Sequence, residues 1–288
     1  GRLYTGAQYP FAHPDGTSAP ACLFSGASPY DNGVVGAMYL NRETLQPKSA
    51  VDGLTPDLLG VSTLSDELKL STGGKAVVFA LAPEPGSAIF SAGHAADGAL
   101  WLDNNTAEWV TSDYYGRPEW LERHNSLSKE TPARVWQPIT PIVGTVNYYV
   151  GKTVSDPFYH KFKSPQEYLT SALVNEKVTE GAIQCLRAHA MGKDEITDLL
   201  AVTYYAGGWQ HKTIEALGME MQDTYVRLDN TIAHLIGQAQ EQVGKDGELL
   251  VVLTSTGYCD QDVPKLSAYR IPTGTFNMTR ARSLLNMY

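Results

Sequence analysis

Apolar residues along this chain fall into a few dense runs separated by polar, glycine- and proline-rich stretches. Lys75-Ala-Val-Val-Phe-Ala-Leu81 is apolar without alternation after its first residue. Such a run predicts a strand buried on both faces, and so a sheet covered by helices. Asp198-Leu-Leu-Ala-Val-Thr-Tyr-Tyr205 and Glu248-Leu-Leu-Val-Val-Leu-Thr254 read as two further strands. Between them Tyr225, Leu228, Ile232, Leu235, Ala239 and Val243 recur every three or four residues. That spacing predicts a helix over Asp223–Val243, with Asp223 as N-cap and Gly244 as stop. Strand, helix, strand in this order predicts a parallel βαβ unit with a right-handed crossover.

Shorter patterns fill in the rest. Ser65–Leu70 and Pro165–Ala190 read as helical, the latter with Leu169, Leu173, Val178, Ile183 and Leu186 roughly on one face. Ala88-Ile-Phe90 begins a second short apolar run. Trp101–Trp109 reads as a hairpin turning at Asp103, Asn104 and Asn105. The first forty residues are loop-rich, and aromatic, proline and glycine residues crowd about 112–165 without a period. The prediction is one α/β domain over 1–288, a three-layer α/β/α sandwich, with an aromatic-rich cap or insertion within 98–165.

Composition narrows the function classes. The chain has 288 residues, enough for about two domains or one large α/β domain. It carries 22 Lys and Arg against 31 Asp and Glu, a net charge of −9. That acidity argues against a partner made of nucleic acid, whose phosphates need clustered cations. With 43% hydrophobic residues and only 18% charged ones, the chain has the makings of a core rather than of a disordered segment. Ala76–Ala82 and Leu249–Leu253 are the longest apolar runs, far below the ~20 residues of a membrane span. No charged-then-apolar leader opens at Gly1, so no signal peptide is expected within these residues. Cys22, Cys185 and Cys259 lie far apart with no CxxC pair, which excludes a zinc ribbon or thioredoxin motif. Gly73-Gly-Lys75 lacks the spacing of a phosphate-binding P-loop, and no Gly-x-Ser-x-Gly elbow occurs.

In open α/β sheets ligands bind beyond the carboxyl ends of the strands. That rule points to Ala206-Gly-Gly-Trp-Gln-His211 and to Ser255-Thr-Gly-Tyr-Cys-Asp260. The opening loop, His13-Pro-Asp-Gly-Thr-Ser-Ala-Pro20, is a third candidate. Tyr204, Tyr205, Trp209 and Tyr258 cluster at the two predicted strand ends, where aromatics either line a pocket for a sugar or other flat ligand or pack a cap.

Several of these segments resemble the alkaline phosphatase superfamily, in its phosphodiesterase/nucleotide-pyrophosphatase branch. They are Asn175-Glu-Lys, Leu186…Gly192-Lys-Asp, Asp198-Leu-Leu-Ala-Val, Gln222–Asp229 and Leu250-Val-Val-Leu-Thr254. Phe24-Ser-Gly-Ala-Ser-Pro29 with Asn32-Gly-Val-Val-Gly36 is similar to the segment that follows the family's nucleophile, and Ser91–Asp97 with Trp101 is similar to members from Bacteroidota. The resemblance implies two zinc ions and a Thr or Ser nucleophile at a helix start, the metals clamping the oxygens of phosphoryl transfer. It also implies export to the periplasm or beyond, and a first strand and late His ligand that this chain is expected to lack.

Carried over residue by residue, the implied site is incomplete. The adjacent Asp-His metal pair falls on Thr256 and Gly257, and the Asp-x-x-x-His loop falls on Gly207…His211. The nucleophile falls near Gly16, with Thr17 and Ser18 adjacent, and the phosphate-binding Asn falls on Ala37. A cationic Lys-x-Arg pair would fall near Ala82–Pro85, where no cation stands. The expectation is therefore a dismantled two-zinc site, without cofactor, serving a small molecule, a glycan or another partner. The pocket residues expected are Thr17, Ser18, Tyr205, Trp209, His211, Ser255, Thr256 and Tyr258. The alternative is an active phosphoesterase with relocated zinc ligands. His13, Asp15, His211, Cys259 and Asp260 offer a weak mononuclear set. His94 reads as structural.

Overall fold

The computed structural model describes residues 1–127, 135–139, 146–147, 152–153, 157–212, 217–245, 247–257, 269–274 and 276–287. They fall into two compact units, 1–257 and 258–288. In the second, helix Met278–Leu285 starts at Asn277, whose side chain accepts from Arg280 N. The first unit carries everything that follows.

Its centre is a four-stranded sheet. Strands β1 (Met38–Asn41) and β2 (Gln46–Ser49) form a separate hairpin. β3 (Val78–Ala82) and β4 (Gly98–Leu102) then run parallel, followed by the two-residue β5 (Trp109–Val110), antiparallel to β4. Late in the chain β10 (Leu199–Val202) joins β3 in parallel, so the order is β10-β3-β4-β5. Asp198 sets that register: one carboxylate oxygen accepts from Val77 N and the other from Gly192 N. β4 and β5 form the expected hairpin, with Asp103 Oδ1 accepting from Asn105 N and Thr106 N in the turn. Between β5 and β10 lie two two-residue pairings: β6 (Val135–Trp136) with β9 (His160–Lys161), and β7 (Val146–Asn147) with β8 (Lys152–Thr153).

Alternation along β3 and β4 sorts their side chains to two cores. Ala80, Ala82, Ala99 and Trp101 pack with Ala21, Ile89 and Phe90. These come from helices α1 (Ser18–Ser25) and α4 (Pro85–Ala92), with α3 (Leu64–Ser71) nearby. Phe79, Leu81, Leu100 and Leu102 pack instead with Val174, Val178 and Cys185 of α7 (Val174–Ala188). α8 (Gly218–Val243) packs on α7. Helices on both faces of a sheet make the three-layer α/β/α arrangement. α2 (Pro29–Asn32), α5 (Trp120–Leu127) and α6 (Pro165–Leu169) complete the set.

Several expectations change. Ala88–Phe90 belongs to α4, whose residues 86–92 are buried on all sides, which hides any helical period. The helical stretch 165–190 breaks at Thr170–Leu173 into α6 and α7. α8 begins five residues before Asp223, so Asp223 is no N-cap. Its buried carboxylate accepts from Trp136 Nε1, Ile139 N and Arg227 Nε, tying the segment at 135–139 to α8. Gly98–Val110 belongs to the central sheet.

The predicted strand at Glu248–Thr254 does not form. The segment carries no ladder, and Leu250, Val252 and Leu253 are 88%, 78% and 72% exposed. The βαβ unit is therefore absent, and β10 pairs with β3 instead. Val243, at the end of α8, lies against Gly192 beside the start of β10. Ser255 and Gly257 lie against Tyr9 and Pro14 at the other end. An apolar run becomes a strand only when a neighbour takes its backbone N–H and C=O groups. Among the described residues, none does so here. Of the cysteines, Cys22 and Cys185 are free thiols, Cys185 buried, and Cys259 lies outside the described residues.

Candidate functional site

The carboxyl ends of β3 and β10 face a group of loops built around Asp15. Its Oδ1 accepts from Thr17 N (3.0 Å), Ser18 N (2.7 Å) and Ser18 Oγ (2.8 Å). Its Oδ2 accepts from Ala37 N at 3.0 Å. An Asp placed just before a helix caps the free N–H groups of the first turn and meets the positive end of the helix dipole. Asp15 does this for α1 and draws in the loop holding Ala37. Burial pushes its carboxyl pKa up, but the bonds from Ser18, Ala37 and Thr17 outweigh that, and it sits below the usual range.

Glu84 follows β3 directly. Ser87 Oγ donates to Glu84 Oε1 at 3.1 Å and also lies on Gly16 O. A Cβ placed on Gly16 would stand 1.8 Å from Glu84 Oε1 and 3.0 Å from its Cδ. The carboxylate thus fills the volume that a side chain at position 16 would need. Burial raises the Glu84 pKa and Asp15 raises it further, against the lowering effects of Ser87 and His211, so it titrates above a free glutamate.

The expected pocket residues take defined places. Thr17 and Ser18 are buried at the start of α1, and the Ser18 hydroxyl is spent on Asp15. His211 lies on the exposed rim in a left-handed conformation, φ 57°, with Nδ1 3.5 Å from Tyr205 Oη. Tyr205 Oη donates to Gly208 O at 2.8 Å. Trp209 Nε1 donates to Glu167 O, and its ring lies 3.9 Å from His160. Tyr205 and Trp209 therefore fix the 205–211 loop and its neighbours. Ser255 O accepts from Tyr9 Oη, whose own pKa is pushed to about 12 by burial and by Cys22. Thr256 is half-buried beside it. Tyr258, Cys259 and Asp260 lie outside the described residues. His94 is structural, as expected: its Nδ1 lies 3.0 Å from Asp66 and its Nε2 3.1 Å from Leu59 O.

Glu84 and Ser87 were not among the expected site residues. The carboxyl-end rule, applied to the strand at 75–81 as it was to the other two, would have reached them.

A two-metal centre needs about three anionic or imidazole ligands for each ion. At the implied positions Thr256, Gly257 and Gly207 have no such donor, and His211 stands alone. Among the described residues no group of three or more His, Cys, Asp and Glu could hold a metal ion, so His13, Asp15 and His211 form no such group. The described residues do not fit the pair of zinc ions that the family resemblance implies.

The three-layer fold is that of solved alkaline phosphatases, and the family itself follows from the sequence. Residues 14–264 match the model of the type I phosphodiesterase/nucleotide pyrophosphatase family, and the chain belongs to that family. It is 26% identical to the alkaline phosphatase PafA of Elizabethkingia meningoseptica over 88% of this chain and 53% of that protein. It is 27% identical to a protein of Myroides odoratus named calcium-transporting ATPase, over 82% of this chain and 49% of that one. A crystal structure of wild-type PafA superposes with a TM-score of 0.74 at 23% identity, covering 94% of this chain and 58% of that one. A PafA mutant gives 0.75 at 22% identity, over 96% and 60%. The chain spans about half the length of these curated relatives.

Proposed function

We propose that this chain is an altered member of its family, in which the phosphoryl-transfer site has become the site of a binding or interaction module. One observation carries the reading. Glu84 occupies the volume of a side chain at position 16, where the family resemblance puts the nucleophile. Asp15 supports it by accepting from the helix N-terminal N–H groups that would otherwise donate to a phosphate. Two carboxylates where an anionic ester must sit repel it, and His211 on the exposed rim offsets them only in part. The ligand of such a site is a small uncharged molecule, a glycan or a protein segment, and not a phosphate ester. Family resemblance is what supports a periplasmic or extracellular setting for the module.

A second reading draws on the relatives' greater length: an active phosphoesterase whose metal ligands come from polypeptide beyond these residues. Two assays separate the readings. Turnover of p-nitrophenyl phosphate and of its bis-ester is measured with zinc present, and inorganic phosphate is titrated by phosphorus NMR. The binding-module reading predicts no turnover above buffer and no saturable phosphate binding. Turnover that disappears on chelation would overturn it for this chain.

A further inference from the structure

A pocket lies on the opposite side of the sheet from Asp15. It opens between α5 and the last turn of α7, with a volume of about 800 Å³. Its floor places it: His189 lies against Phe79, near the start of β3, with ring centroids 4.3 Å apart. The charge of Asp97, the residue before β4, also reaches His189. This is the amino edge of the parallel strands, so the pocket is separate from the carboxyl-edge loops.

Trp120, His124 and Leu127 recur at helical spacing on α5 and line the pocket, as does Ala188 of α7. Trp120 Nε1 donates to His189 Nε2 at 3.0 Å, which fixes the indole and leaves the His189 proton on Nδ1. Burial lowers the pKa of His124, with help from Lys177, and burial likewise lowers that of His189. Both shifts favour the neutral ring. His124 Nε2 is buried with no hydrogen-bond partner among the described residues. An orphan of this kind is worth about 1–3 kcal/mol to whatever satisfies it.

Around this wall stand Glu119, Arg123 and Gln184. None of the three side chains has a hydrogen-bond or ion-pair partner among the described residues. A carboxylate, a guanidinium and an amide are all planar, and each engages two neighbouring groups at once. Their charges cancel, so the pocket selects neither an anion nor a cation. It pairs one apolar aromatic wall with two-pronged donors and acceptors. A pyranose ring has the matching anatomy: C–H groups for the aromatic wall, and vicinal hydroxyls that both donate and accept.

We propose that the groove between α5 and the end of α7 is a binding site for an uncharged sugar, with Trp120 as the wall and Glu119, Arg123 and Gln184 as the hydroxyl-reading groups. The test is a titration of the full 288-residue chain, followed by the side-chain indole resonances in NMR. The probes are methyl α-glucopyranoside, methyl β-galactopyranoside and N-acetylglucosamine, with benzoate as the aromatic anion. Saturation by at least one sugar at millimolar concentration is expected, with the Trp120 resonance shifting. Arg123→Ala and Gln184→Ala, on helix surfaces and without partners to lose, are each expected to weaken it about tenfold, or 1.4 kcal/mol. Tyr30→Ala, on the exposed face of α2 and outside both sites, is expected to leave it unchanged. No saturation by any of the three sugars up to about 50 mM, well above the millimolar range expected, would overturn the proposal. So would saturation untouched by both variants, or saturation by benzoate alone.

Discussion

Gly16 and Glu84 offer the sharpest perturbation. Alanine at 16 brings a Cβ to 1.8 Å from Glu84 Oε1, so the carboxylate must swing away. It then loses the Ser87 hydroxyl, an interaction of about 1.5–3 kcal/mol for a charged acceptor. Against that, Gly→Ala removes freedom from the unfolded chain, a gain of about 0.4–1 kcal/mol where the backbone tolerates a side chain. Gly16 is not in the left-handed region, so that gain is available. The net expectation for Gly16→Ala is a loss of about 1–2 kcal/mol. In a Glu84→Ala background nothing opposes the new methyl group except Ser87 Oγ at 3.4 Å, an ordinary contact. There the same substitution is expected to be neutral or stabilising by up to about 1 kcal/mol. The four proteins form a double-mutant cycle, read by urea unfolding, with a coupling of about 1–3 kcal/mol. Additive effects, with coupling below about 0.5 kcal/mol, would refute the claim that Glu84 fills the place of a side chain at 16.

Asp223→Ala leaves Trp136 Nε1, Ile139 N and Arg227 without their shared acceptor, and is expected to cost about 3 kcal/mol in urea unfolding; a loss under 1 kcal/mol would contradict the role given to it. His124 and His189 have lowered folded pKa values, so the unfolded chain binds more protons as pH falls through 6.5. Their share of stability is present above that pH and lost below it. His124→Gln is thus expected to shrink the drop in Tm between pH 7.5 and 5.5, and identical drops in variant and parent would count against the burial argument. Leu250, Val252 and Leu253 form an exposed, unladdered apolar ribbon, the kind of surface that pairs with other chains. Sedimentation velocity is expected to show the 288-residue chain self-associating and Leu250→Lys with Val252→Lys relieving it; an unchanged profile in the double variant would reject that surface as the cause.

Much of the architecture was readable in the order of residues, for reasons the structure makes plain. β3 and β4 are buried on both faces, so their apolar runs carry no polar alternation to mislead. Asp103 with its Asn-Asn turn fixed the hairpin locally, and Gly244 stopped α8 where its backbone turns to φ 81°. What failed depended on partners. Glu248–Thr254 has the composition of a buried strand, but a strand needs a second strand's backbone beside it, and none of the described residues supplies one. Asp223 looked like a cap because aspartate favours that place; its actual donors come from 84 to 87 residues away and from Arg227. The site divides the same way. The sequence offers Asp15 only as part of a weak metal set and Thr17 and Ser18 as pocket residues, and the loop-rich opening does not mark Asp15 as the cap of α1. Glu84 reaches Gly16 only through the packing of α4 on α1, a contact with no mark in local sequence.

The central claim is that the carboxyl edge has left two-metal phosphoryl transfer, and metal content tests it most directly. The purified chain is incubated with excess zinc, desalted, and its bound metal counted by elemental mass spectrometry. The account predicts a stoichiometry near zero, unchanged by His211→Ala. One or two tightly held ions per chain, lost on His211→Ala, would contradict it and return this edge to phosphoester chemistry.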